Sequence, residues 1–245
     1  MSNKPTVSLF IPCLIDQVYP EIGIDMVKCL SHFGYQIVYD RQQTCCGQPA
    51  FNAGHRDEAR KVATQFINVF KSSDVIVCPS GSCTAMVKNY YPLLFTEHAL
   101  LDTARELGTK VFEFSEFLIS EDLLEKIHGS YSGKVGFHNS CHSQRELGID
   151  REPQEILQKI DNLELIQPEG EPVCCGFGGL FSFKFDEISA TMAKTRLEMF
   201  ISMGVDTIVT NDPGCLMHMR QESFHRHYEL KLLHLIELLA KVLKL

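Results

Sequence analysis

Eight of the ten cysteines fall into two matching sets half a chain apart. Cys13 maps onto Cys141 at an offset of 128, Cys45 and Cys46 onto Cys174 and Cys175 at 129, and Cys83 onto Cys215 at 132. Each adjacent pair runs into a glycine, Gly47 or Gly176. Burial alone gives no reason to repeat this spacing, so the chain reads as a duplication with one chemical requirement common to both halves. The surroundings repeat as well. Residues 74–77 precede Cys83 much as 206–209 precede Cys215, and the apolar run 111–118 resembles 232–239. The chain therefore divides into lobes 1–128 and 129–245, at a stretch, 128–133, whose Gly and Ser content suits a linker.

Short apolar or β-branched runs at 6–11, 35–39, 74–78 and 110–114 predict buried strands, and amphipathic segments at 21–33 and 56–71 predict helices. The second half repeats the order. Strands are expected at 134–138, 163–166, 206–210 and 231–234, with helices near 150–160, 186–202, 214–226 and 235–243. This alternation predicts an α/β protein of two duplicated lobes. Each is a small, mostly parallel sheet flanked by helices, and the two are related by a pseudo-two-fold. Ligands in such sheets bind at the carboxyl ends of strands, which is where all eight repeated cysteines fall.

Composition narrows what the thiols can hold. A net charge of −8 argues against a phosphate-backbone partner, so no nucleic acid is expected. The most apolar windows are too short or too charged to span a bilayer, and the first residues lack the pattern of a secretory leader. A cytoplasmic location, where disulfides are disfavoured, is the expectation. Four thiolates per half suit a tetrahedral zinc or a four-iron cluster. Zinc knuckles space their cysteines by two to four residues, whereas adjacent cysteines could reach different irons of one cluster, which favours the cluster. One or two iron–sulfur clusters of [4Fe–4S] type are therefore expected, held by Cys13, Cys45, Cys46 and Cys83 and by Cys141, Cys174, Cys175 and Cys215, with zinc as the alternative in either lobe. Cys29, on the apolar face of an expected helix, reads as core; Cys78 has Thr210 as its counterpart and stays open.

The segments 11–13, 42–50, 79–83, 138–142 and 174–179 together resemble the CCG-domain, cysteine-rich iron–sulfur proteins, along nearly the whole chain. Relatives in that family include the iron–sulfur subunit of glycolate oxidase and the catalytic subunit of heterodisulfide reductase. The resemblance implies electron transfer during oxidation of L-lactate, in a complex with other lactate-utilisation subunits and an electron donor or acceptor protein. It also implies a Cys-x-x-Cys at the end of each half, but Ser80 and Asp212 stand at the first of those positions. That departure weakens any transfer of disulfide-reducing chemistry, which remains an alternative alongside a zinc-stabilised assembly module. Asp212 has two readings, an oxygen ligand or the N-cap of a helix starting near Pro213.

The second half carries residues the first lacks. His138 and His142 flank Cys141, with Arg145 one turn on, where the first half has Leu14, Ile15 and Asp16 after Cys13. His142 is a candidate to move a proton with the electron, and Arg145 to hold a carboxylate or a negative cluster. The run Gly176, Phe177, Gly178, Gly179 is not a dinucleotide fingerprint, because Phe181 occupies the place of the third glycine. No flavin or nicotinamide site is legible, so removal of hydride from a hydroxy acid is expected to belong to a partner chain.

Overall fold

A computed structural model of the chain describes residues 5–168 and 173–245. The eight apolar runs are strands: β1 (Thr6–Leu9), β2 (Gln36–Val38), β3 (Ile76–Cys78), β4 (Val111–Glu113), β5 (Ser130–His138), β6 (Asp161–Ile166), β7 (Thr207–Thr210) and β8 (Lys231–His234). They form two four-stranded sheets, ordered β2-β1-β3-β4 and β6-β5-β7-β8, with every pairing parallel. All residues of β3 and β7 are buried, as strands covered on both faces must be. Registers correspond between the halves: Leu9 lies beside Val77, and Phe137 beside Val209.

The two longest expected helices are present as Arg56–Phe70 and Asp186–Ser202. Three differences have local causes. β1 stops at Leu9 because Pro12 and a new helix, Cys13–Val18, follow, and the Ile11 N–H turns to the Gln43 side chain at 2.7 Å. Ser130–Gly133 does not behave as linker; it is the start of β5, admitted through a register irregularity between Ser130 and Gly133. Helix His98–Lys110 is an addition to the expected elements; it buries Ala104, Leu107 and Gly108.

The halves do not pack as two closed units. The helix after β8, Leu235–Leu243, is buried on nearly all sides and packs on Pro20–His32 of the first half. Reciprocally, Phe114–Ser120, which follows β4, packs on Glu152–Gln158 of the second. Each half thus lends its last helix to the other, and one apolar core runs through both; a second core lies within the first half, around Phe10, Phe66 and Phe70. A truncation such as Leu239→Ala would cost about 2–5 kcal/mol and loosen both halves together.

Candidate metal centres

Each quartet is assembled from three loops at the carboxyl ends of the central strands. Cys13 and Cys141 open the short helices Cys13–Val18 and Cys141–Leu147 after β1 and β5. Cys83 and Cys215 lie in the first turns of Gly81–Ala85 and Pro213–His225 after β3 and β7. The adjacent cysteines need the glycine that follows. Gly47 and Gly176 adopt φ of +81° and +87°, and their N–H groups turn back to Cys45 Sγ at 3.4 Å and Cys174 Sγ at 3.3 Å.

Within each quartet the sulfurs touch in sequence. Cys13 donates to Cys45 at 3.6 Å, and Cys46 bridges Cys45 and Cys83. In the second half Cys141 meets Cys174, Cys174 meets Cys175, and Cys175 lies 3.0 Å from Cys215. Donation from Cys13 and Cys46, with the Gly47 N–H, holds the Cys45 thiol well below its ordinary range. Cys174 is lowered in the same way by Cys141, Cys175 and the Gly176 N–H. Cys46 and Cys175 are raised, first because they donate to those neighbours and then because they are buried. Four converging thiols, one of them readily a thiolate, suit a soft metal or a cluster, which stabilises the thiolate form of all four.

Both quartets line one cavity of about 290 Å³ between the halves. Phe177, Leu180, Phe183 and Met217 form an apolar wall on the second-half side. Ser80 and Asp212, equivalent positions in the two halves, meet beside this cavity. The Ser80 hydroxyl and the Ser82 N–H donate to Asp212 Oδ2 at 3.1 and 2.9 Å, while Asp212 Oδ1 accepts from Gly214 N–H at 2.9 Å. One carboxylate thereby caps a helix in each half, which settles Asp212 as a cap with both oxygens engaged.

The other candidates separate. His142 lines the cavity, its Nδ1 3.7 Å from Cys141 Sγ and its Nε2 3.2 Å from the Gln48 amide of the opposite half. Arg145 is exposed and does not reach the cavity, because it lies on the outward side of the helix that Cys141 begins. Cys29 is core, and Cys78 is buried at the end of β3 with its thiol turned to the Ser80 carbonyl rather than to the cavity.

His138 is buried, and one of its ring nitrogens lies in a group with the Cys175 and Cys215 sulfurs, all within 4.8 Å of one another. Its Nδ1 accepts from Arg196 Nε at 3.0 Å. Burial, reinforced by Arg196, pushes the His138 pKa down to about 3. Arg196 had escaped the sequence reading. Its signal was there, since Ala193, Leu197 and Phe200 put it on the buried face of its helix.

A doubled parallel α/β scaffold with a thiol quartet at each sheet edge defines a duplicated cysteine-rich protein. The chain belongs to the CCG cysteine-rich domain family, whose domain matches residues 7–88 and again 135–220. It is 38% identical over 233 residues to "Lactate utilization protein A" of Halalkalibacterium halodurans, covering 95% of this chain and 96% of that protein. It is 34% identical to the protein of the same name in Bacillus subtilis, covering 95% and 98%. Among solved structures, a glutamate racemase from Francisella tularensis covers 100% of this chain and 81% of its own at 15% identity and a TM-score of 0.41, too low to bear on function.

Proposed function

We propose that the chain is the iron–sulfur electron-transfer component of an L-lactate-oxidising complex, with Cys13, Cys45, Cys46 and Cys83 holding one centre and Cys141, Cys174, Cys175 and Cys215 the other. The convergence of both quartets on one cavity carries this reading, because two centres facing one space can exchange electrons without crossing the protein core. The donor set fits: four sulfurs per site, adjacent cysteines both turned inward, and backbone N–H groups aimed at sulfur. Bound there, iron–sulfur clusters would supply one-electron redox chemistry. The chain's own part is to hold the sulfurs, keep the wall apolar and offer His142 as a proton carrier at the mouth.

The similarity to lactate-utilisation proteins along nearly the whole chain supports lactate as the donor and other subunits of that system as partners, one of which removes the hydride. A cytoplasmic site of action accords with the thiol chemistry, and no helix among the described residues is long and apolar enough to cross a membrane. The lobes 1–128 and 129–245 are then the two centres' housings, bound together by their exchanged helices.

One observation favours a second reading, zinc in one half. The 3.6 Å between Cys13 and Cys45 sulfurs is near the edge of about 3.8 Å that a tetrahedral zinc with bonds near 2.3 Å would give. Anaerobic purification followed by metal analysis, visible absorption and electron paramagnetic resonance decides. Brown protein with iron and sulfide in both halves is expected; colourless protein containing zinc and no iron would overturn the electron-transfer reading.

A further inference from the structure

The two quartets have different backing. Residue equivalences follow from the corresponding registers of β1 and β5 and from the glycines, since Gly47 packs on Ala59 and Val62 as Gly176 packs on Ser189 and Met192. By those equivalences Phe10 corresponds to His138, Phe66 to Arg196 and Phe70 to Phe200. In the first half Phe10 and Phe66 pack edge to face at 4.9 Å, behind a quartet also walled by buried Tyr91. In the second, a hydrogen-bonded imidazole and guanidinium occupy the same space.

A buried guanidinium is costly unless it faces negative charge. Arg196 is 5% exposed and lies over the Phe200 ring, its remaining contact being the Met199 sulfur; no carboxylate pairs with it among the described residues. The groups that favour its charge are Cys175 and Cys215. The pair also fixes a proton. Guanidinium only donates, so Nδ1 of His138 must accept, and the neutral ring's hydrogen then sits on Nε2. That Nε2 is buried and makes no hydrogen bond within the protein, on a ring that has a nitrogen within 4.8 Å of the Cys175 and Cys215 sulfurs.

We propose that Arg196 and His138 are positioning residues that make the second-half centre easier to reduce than the first: Arg196 fixes the His138 ring with its unpartnered Nε2–H free to donate to a sulfur of the bound centre, and its buried charge offsets that of the thiolates. Hydrogen bonds to sulfur and nearby positive charge both raise the potential of a thiolate-held cluster, and the first half has neither from Phe10 and Phe66. His138 is accordingly a donor to the centre and not one of its ligands, because a ligating Nε2 would have to lose the proton that Arg196 keeps there.

This inference rests on the reading that both quartets hold iron–sulfur clusters. The test is an anaerobic redox titration of the full chain followed by electron paramagnetic resonance, with Cys46→Ser used to assign the second-half midpoint. Arg196→Met is expected to lower that midpoint by at least a tenfold change in equilibrium, about 59 mV for one electron, and to leave the first-half midpoint in place. Arg196→Lys is expected to recover at least half of the shift. His138→Gln, which keeps an N–H donor, is expected to retain full iron and a near-native midpoint, and His138→Phe to retain iron with a lowered one. Unmoved midpoints in Arg196→Met and His138→Phe, with iron retained, overturn the proposal while leaving the clusters standing. So does loss of second-half iron in His138→Gln, which would make His138 a ligand. Wild-type protein without iron overturns the cluster reading itself.

Discussion

The first and second halves share their strand order, their quartets and their glycine turns, yet differ in what stands behind the sulfurs. Phe10 and Phe66 make an apolar backing in one, and His138 and Arg196 a polar, charged one in the other. The cavity lining differs too, with Leu14 in one half where the other presents His142. The two halves share the cysteines and the glycine turns, while the side chains packed behind them differ. On the proposed reading, two sites of one design would differ in potential and in proton handling.

The strongest way to break this comparison is to empty one half at a time. Cys46→Ser and Cys175→Ser should each remove about half of the bound metal and leave the other half's spectrum unchanged, measured as iron and sulfide per chain. If either variant empties both halves, the sites form a single cooperative unit and the comparison fails.

The glycine turns come next. An added Cβ at Gly176 would lie 2.6 Å from the Ser189 carbonyl oxygen and 2.8 Å from Met192 Cβ, whereas at Gly47 the nearest atom is a Val62 methyl at 3.2 Å. Gly47→Ala should cost about 1–2 kcal/mol for the left-handed backbone, and Gly176→Ala about 1–3 kcal/mol more for the backbone overlap. Thermal unfolding of both variants as isolated checks the order; equal losses would show that the second turn relaxes freely.

The helix caps after β4 and β8 sharpen the comparison through pH. Glu113 and His234 make matching capping boxes with Glu116 and Glu237. Burial raises Glu113 to about 8 and lowers His234 to about 4. The native state therefore keeps the Glu113 proton that the unfolded chain releases above its ordinary value near 4.5, and stability drains as pH climbs toward 8. His234 acts in the opposite sense, its contribution lost as pH falls from about 6.5 toward 4. Each slope is up to about 1.4 kcal/mol per pH unit. Glu113→Gln should flatten the alkaline limb and His234→Gln the acid one in denaturant titrations across pH 4–9; a variant that leaves its limb unchanged refutes that assignment.

The smallest effect is expected at Arg145. Exposed and outside the cavity, it should tolerate Arg145→Ala within about 0.5 kcal/mol and with no change in metal content. A shift in the second-half spectrum would restore it as part of the site.

Most of the framework was legible in the chain. Parallel strands are short apolar runs, so all eight were recognisable, although the edge strands β2 and β6 hold no fully buried residue, contrary to the burial expected of them, and the doubled spacing named every member of both quartets. What escaped depends on distant neighbours. Ser130–Gly133 looks like a linker because Gly and Ser suit either a loop or a bulged strand, and only pairing with β6 decides. Asp212 could be ligand or cap until its oxygens found Ser80, Ser82 and Gly214. His142 and Arg145, three residues apart, looked equivalent, yet the helix turned one into the cavity and the other to solvent.

The sequence alone determined the duplication, the α/β architecture and the eight sulfurs, because period, spacing and residue type are properties of the chain itself. Tertiary structure decided that both quartets face one cavity, that each half lends a helix to the other, and that Arg196 stands behind His138. Those facts depend on which surfaces meet after the strands are laid down, and burial assigns a guanidinium its role only when the charge it must face is already in place.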